Sequence, residues 1–179
     1  MERDNRTGIY KLDYPNREVE EAMSDYILSA LLHKFRGETT MPVFYIKDAF
    51  LENDVPKVLK LIHAVFKDVP YMLIRNRKED FYHTVIHIYF RLLGLIMDSE
   101  LMTSDGRMDV AVKTPTHIYI IEFKLDESAD IAITQIKSKD YAAKYRSPSG
   151  LGVKKIVLIG INFDSEKKGV SDWKMEEYN

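Results

Sequence analysis

Gly106-Arg-Met-Asp-Val-Ala-Val-Lys113, followed after a short loop by His117-Ile-Tyr-Ile-Ile-Glu-Phe-Lys124, is the stretch on which the fold turns. Two apolar runs joined through Thr114 to His117, with Pro115 in the loop, predict a β-hairpin. If Lys113 pairs with Ile118, Asp109 stands directly opposite Glu122. Side chains so placed are about 4.5–5.5 Å apart at Cβ, and two like charges there repel unless something positive lies between them. The strand period of two puts Ile118, Ile120, Glu122 and Lys124 on one face, so Lys124 points to the side on which the carboxylates meet. Charges flanking Phe123 at the end of so apolar a run are poor packing choices, which weighs against scattered surface charges on an edge strand. Oxygen ligands of this kind suit Mg²⁺, which takes only one or two carboxylates and keeps several waters. The hairpin is therefore a candidate divalent-metal centre.

Working outward, the N-terminal third reads as helical. Pro15-Asn16 with Glu18 and Glu20 is a helix start, Asn16 serving as N-cap and the acids favoured by the first-turn dipole. Val19, Met23, Tyr26, Ile27, Ala30 and Leu31 then repeat at helical spacing up to Gly37. A second helical piece is expected around Ile46 to Glu52. Asp54 and Pro56 open a third helix, whose Val58, Leu59, Ile62, Val65 and Phe66 form one stripe before Pro70. From Asn76 a long helix carries Tyr82, Val85, Ile86, Tyr89, Leu92, Leu93 and Ile96 on one face. After Gly94 the texture changes to strands near Ile96–Thr103, Arg107–Lys113 and His117–Lys124. A helix over Ser128–Tyr145, a strand over Lys154–Ile161 and a last strand over Ser171–Glu177 follow. Helix, three antiparallel strands, helix and strand make an α/β core with an N-terminal helical extension.

Composition is consistent with this and adds exclusions. The chain has 179 residues, 45% of them hydrophobic and 30% charged, enough for one complete domain with a core but not two. It has no cysteine, which excludes disulfides and thiolate metal sites. Its first residues are charged, with no apolar signal region, and no run of about 18 apolar residues occurs, so the expectation is a cytoplasmic protein with no membrane partner. The formal net charge of −2 does not advertise nucleic-acid binding. Yet Lys137, Lys139, Lys144, Arg146, Lys154 and Lys155 fall close together with only Asp140 to offset them, either as a solvated helix face or as a patch that tracks phosphates.

Asp109 followed by Glu122-Phe-Lys124 resembles the split signature of the PD-(D/E)xK nuclease superfamily, whose members carry an acid on one strand and E-x-K on the next. The resemblance runs from about Glu79 to the C-terminus, with Met108 standing where the superfamily name has proline, which is not a ligand. Ile121-Glu-Phe-Lys-Leu125, Gln135-Ile-Lys and Lys139-Asp-Tyr141 look like the nuclease-type domain that follows an AAA-type ATPase-like domain in many bacterial proteins. Gly8-Ile-Tyr10 and Tyr14-Pro-Asn-Arg-Glu-Val19 look like the segment joining the two halves there, and Trp173-Lys-Met-Glu177 resembles that family's natural end. The resemblance implies a restriction-endonuclease-like core over residues 76–179 and a helical extension or linker over 1–75.

It also implies roles. Asp109 and Glu122 would bind Mg²⁺ or Mn²⁺, the Phe123 carbonyl would add a ligand, and Lys124 would be the catalytic cation. Glu79 would supply the helix-borne acid that many members add, although Asn76 with Glu79 also makes a capping-box-like pair that needs no metal. Gln135 would stand beside the active site with Asp109, Glu122 and Lys124. His83, one turn after Glu79, is read as a site-adjacent hydrogen-bonding residue. His83 and His87 have the spacing of a zinc pair but no third ligand in an obvious motif. Tyr141 and Tyr145 are assigned no role. The implied partner is nucleic acid, DNA in the first instance, with an N-terminal ATPase-like domain in a longer protein and a homo-oligomer both compatible. The rival readings are a nuclease-fold regulatory or nucleic-acid-binding module that no longer cleaves, and an interaction domain with incidental strand charges.

Overall fold

A computed structural model describes residues 2–3, 10–11, 14–32, 40–69, 79–92, 96–99, 102–103, 106–107, 109–146 and 154–178; at 31–32, 40–41, 79–80 and in the segments 2–3, 10–11, 96–99, 102–103 and 106–107 it describes backbone alone. The helices are α1 (Arg17–Leu32), α2 (Thr40–Leu51), α3 (Val55–Lys67), α4 (Glu79–Leu92) and α5 (Ala129–Ser138). The main strands are β1 (Ile96–Ser99), β2 (Val110–Lys113), β3 (His117–Leu125), β4 (Lys155–Asp164) and β5 (Gly169–Tyr178). Met102–Thr103 and Gly106–Arg107 form a separate short pair, as do Glu2–Arg3 and Tyr10–Lys11.

One five-stranded sheet has the order β1-β2-β3-β4-β5. β1, β2 and β3 are mutually antiparallel, β4 runs parallel to β3 across the α5 connection, and β5 returns antiparallel to β4. The hairpin register has Lys113 opposite Ile118 and Val110 opposite Ile121. Thr114 closes it: its N–H donates to the His117 carbonyl at 2.9 Å, and its hydroxyl oxygen accepts from the His117 N–H at 3.0 Å. This is the α/β arrangement anticipated from the residues, with β5 widening the sheet by one strand.

The strand period of two divides the core. Tyr119, Ile121 and Phe123 of β3 and Val157, Ile159, Ile161 and Phe163 of β4 face α3 and α4; Ile118 and Ile120 with Ile156 and Leu158 face α5. β3 and β4 are thus apolar on both faces, as a central strand covered by two helical layers must be. On α3 the Asp54 carboxylate caps the Lys57 N–H at 3.0 Å, and Val58, Leu59, Ile62, Val65 and Phe66 are buried as expected. On α4 Tyr82, Val85, Ile86, Tyr89 and Leu92 are buried. Ile96 opens β1 opposite Lys113 instead of extending the helical face, and Leu93 lies outside the described residues.

Two strands and three helices differ from expectation: the strand near Ile96–Thr103 ends at Ser99 and that over Arg107–Lys113 begins at Val110, with Met102–Thr103 and Gly106–Arg107 pairing separately. α2 begins at Thr40, earlier than Ile46. On α1 the Asn16 side chain caps the Val19 N–H at 2.9 Å, but Val19, Met23 and Tyr26 are exposed while Ser24 and Leu28 are buried. The buried face is instead set by α4, whose Arg91 guanidinium grips Glu20 at 2.7 and 3.1 Å. The helix expected to run to Tyr145 stops at Ser138, because Asp140 takes a left-handed φ of 44°. Tyr141 is thereby turned into the core, and a 3₁₀ turn, Ala143–Tyr145, follows. Among the described residues no helix is long and apolar enough to cross a membrane.

Gly160, in the middle of β4 and paired with Glu122, lets α5 lie directly on the sheet. A Cβ there would overlap the Ala129 carbonyl oxygen and stand 3.0 Å from both Ala132 Cβ and Ile133 Cγ1. Gly160→Ala is therefore expected to destabilise the fold by about 1–3 kcal/mol, the usual cost of overpacking. Equilibrium urea unfolding checks it; a variant as stable as the native chain would show that α5 moves away freely.

Candidate active site

β2 begins one residue after Asp109, and the register carries Asp109 opposite Glu122. The Asp109 carboxylate then does what the next rung of the ladder would have done. Its Oδ2 accepts the Phe123 N–H at 2.8 Å. N–H and C=O of one strand residue project to the same edge, so the Phe123 carbonyl also faces the Asp109 side. Phe123 itself is buried on the other face, against His83 and Phe163.

Glu122 is 2% exposed at its side chain, and Lys124 stands beside it with Nζ 3.8 Å from Oε1. Gln135, from the second turn of α5, donates its side-chain N–H to the same Oε1. The other carboxylate oxygen, Oε2, is buried with no hydrogen-bond partner. Burial, then the neighbouring Asp109 charge, push the Glu122 carboxyl up to about 8; Lys124, the Asp109 N–H and Gln135 pull the other way. A carboxylate pair held this close in a dry setting has a deficit of positive charge, which a cation would fill.

His83 reaches the site from α4, its Nδ1 3.6 Å from Asp109 Oδ1. Tyr141, to which sequence reasoning gave no role, is buried and shares a hydrogen bond with Gln135; burial raises its phenol, and the Glu122 and Asp109 charges add to that. Its spacing from Gln135 is no helical repeat, since the chain leaves α5 between them, so periodicity could not reveal it.

The structure thus brings together Asp109, Glu122, Lys124 and Gln135, with His83 behind Asp109 and Tyr141 behind Gln135. α4 begins at Glu79, but the Glu79 side chain lies outside the described residues. Among the described residues no three His, Asp or Glu side chains converge as a metal cage. The donor set present is two carboxylates with a buried, unpartnered oxygen on one of them, which fits a hard ion that retains water and does not fit zinc.

The basic cluster is less available than its sequence suggests. Lys137 pairs with Glu176, Arg146 with Asp140 and the Tyr178 hydroxyl, and the Lys144 ammonium lies 5.7 Å from the centre of the Tyr145 ring. Lys139 caps the C-terminus of α5 through its backbone N–H, and its side chain is exposed. Tyr178 pairs with Ile156, four residues up β4 from the Gly160 that neighbours Glu122, so Arg146 sits roughly 13 Å along the sheet from the carboxylates.

Two comparisons with known proteins bear on these observations. A family model described as PD-(D/E)XK nuclease superfamily matches residues 77–173. A protein of Azotobacter chroococcum mcd 1, described as "Uncharacterized protein in vnfD 5'region", is 33% identical over 173 residues, which make up 93% of this chain and 33% of that protein. The chain therefore spans about a third of the length of this relative.

Proposed function

Because the chain belongs to the PD-(D/E)XK nuclease superfamily, we propose that it hydrolyses phosphodiester bonds of nucleic acid, DNA in the first instance, using Mg²⁺ or Mn²⁺. The observation that carries this reading is the buried Glu122 carboxylate opposite Asp109 with Lys124 Nζ at 3.8 Å. A bound divalent cation supplies Lewis acidity toward phosphate oxygens and a nucleophile near neutral pH. Asp109 and Glu122 would hold it, with the Phe123 carbonyl and Glu79 as further oxygen donors. Lys124 presents a fixed positive charge to the phosphate as negative charge builds on the transferring group. Gln135 orients the Glu122 carboxylate, Tyr141 steadies Gln135, and His83 orients Asp109. Lys137, Lys139, Lys144 and Arg146 belong to a secondary surface for nucleic acid, weakened by the ion pairs of Lys137 and Arg146. The proposed boundary near residue 76, between a helical extension and the catalytic unit, follows the extent of the family match and not a break in packing, since α3 shares the sheet's core with α4.

Titration with Mg²⁺ or Mn²⁺ followed by calorimetry, in parallel with cleavage of single- and double-stranded DNA and RNA, tests the reading. The expected result is metal binding with metal-dependent cleavage that EDTA abolishes. No metal binding would overturn it. Binding without cleavage favours a second reading, a non-cleaving module of a larger ATPase-containing protein; the relative's threefold greater length agrees with a larger protein and is silent on the ATPase-like part.

A further inference from the structure

The turn Ser165–Lys168, which joins β4 to β5, lies at the same end of the sheet as Lys124. β3 and β4 are parallel, Lys124 pairs with Asn162, and the turn follows two residues later. The turn is bound to the loop that leaves the site: the Ser165 N–H and hydroxyl both donate to Asp126, at 2.8 and 2.7 Å, and the Asp126 N–H donates to the Phe163 carbonyl at 2.8 Å.

It is also clamped from α3. Lys67 Nζ donates to the Lys167 carbonyl at 2.7 Å, and His63 Nδ1 lies 2.9 Å from the Val170 carbonyl oxygen, which makes Nδ1 the protonated nitrogen. The His63 ring fills the space beside Gly169, where a Cβ would come within 2.9 Å of Nδ1. Gly169 has φ 131° and Lys168 φ 53°, conformations that fix the direction in which the turn leaves the strand. A solvent-facing connector held from two sides presents Lys167 and Lys168 beside Lys67 around one open cleft, with Glu166 the acid on its rim. The Lys167 side chain is 79% exposed; its ammonium lies 3.5 Å from Asp164 Oδ2, and the Glu166 and Lys167 N–H groups donate to the other oxygen, Oδ1.

We propose that this clamped turn is a backbone-gripping wing for nucleic acid, in which Lys67, Lys167 and Lys168 contact phosphates beyond the bond presented to Lys124. The inference rests on the nuclease reading and names the surface by which that site would take its substrate. From β3 to β5 is two strand spacings, roughly 10 Å, which is about three nucleotides of a DNA strand. That spacing lies in the plane of the sheet; α3, which supplies Lys67, covers the face opposite the one on which Gln135 meets Glu122, so a strand held at Lys124 reaches the wing around the ends of β3 and β4, whereas Arg146 lies toward the other end of the sheet.

The test is equilibrium binding of the full chain to a fluorescently labelled DNA duplex in EDTA, followed by anisotropy over a range of salt concentrations. Lys167→Ala/Lys168→Ala is expected to melt like the native protein and to bind more weakly. Its slope of log K against log salt should fall by about 1–2, each phosphate contact contributing about 0.9. Gly169→Ala, which keeps both charges but displaces the turn, should also weaken binding. Native affinity and slope in the double lysine variant would overturn the proposal, and native affinity in Gly169→Ala would remove the clamp from it. Failure of the native chain to bind duplex or single strand would instead overturn the nuclease reading beneath it.

Discussion

Replacing Lys124 with methionine is expected to leave a folded protein that takes up Mg²⁺ and does not cut. Methionine matches the length of the lysine stem, and the side chain is 15% exposed, so packing changes little. What is lost is a positive charge 3.8 Å from Glu122 Oε1. Without metal, that loss moves the Glu122 proton affinity further upward, since Lys124 is among the groups holding it down. A bound divalent ion would itself neutralise Asp109 and Glu122, so the binding isotherm is expected to persist. On the proposed reading nothing would replace the ammonium at the phosphate, and loss of a comparable stabilising group costs about 10²–10³ in rate. Thermal melting, calorimetry with Mg²⁺ and a cleavage assay check the three parts separately. Native-level cleavage by the folded variant would remove Lys124 from the chemistry.

Glu122→Gln is expected to make the metal-free protein more stable in alkaline solution while abolishing tight metal binding. Burial and Asp109 raise the carboxyl from 4.5 to about 8 in the fold. A proton bound more tightly by the folded than by the unfolded chain contributes stability that is complete below about pH 4.5 and is lost as pH rises through about 8. Each unit of difference corresponds to about 1.4 kcal/mol, so the loss amounts to a few kcal/mol across that window. The amide introduced by the substitution keeps an oxygen for Gln135 and carries no charge, so the variant's stability is flat over the same range. Metal-free urea unfolding at pH 6 and at pH 9 compares them, the native chain losing stability between the two and the variant holding its own. A variant with the same pH dependence as the native chain would show that Glu122 is already solvated. Metal binding by the native protein near neutral pH should release a proton, which Glu122→Gln cannot supply.

Much of the site was legible because a hairpin converts sequence spacing into geometry. The pairing of Lys113 with Ile118 follows from the loop, and with it the juxtaposition of Asp109 and Glu122. The α3 stripe was legible for a similar reason, since one strongly one-sided helix has one place to put Ile62 and Phe66. α1 was different. Val19, Met23 and Tyr26 form as good a periodic pattern as any, yet the Glu20–Arg91 bond and the burial of Leu28 orient the helix otherwise, and those are tertiary facts. Tyr141 was given no role because a left-handed Asp140 interrupts the helix before it and its place beside Gln135 is not a helical spacing. The lysines after Gln135 looked like a patch because their partners Glu176 and Tyr178 are far away in the chain and adjacent only across the sheet. Lys167 and Lys168 drew no attention, for a turn shows its lysines in sequence but not which end of the sheet it crowns.

The bare backbone at Gly160 has a bearing on how this domain can be engineered. Helix α5 and strand β4 touch there with no clearance, and Gln135, on that same helix, meets the Glu122 carboxylate on the neighbouring strand. Any change that shims the helix outward at its base is transmitted along a rigid lever to the carboxylate. Tightening or loosening this joint therefore retunes the aim of the carboxylate along with the robustness of the fold, and the two properties cannot be adjusted one at a time from this side of the sheet.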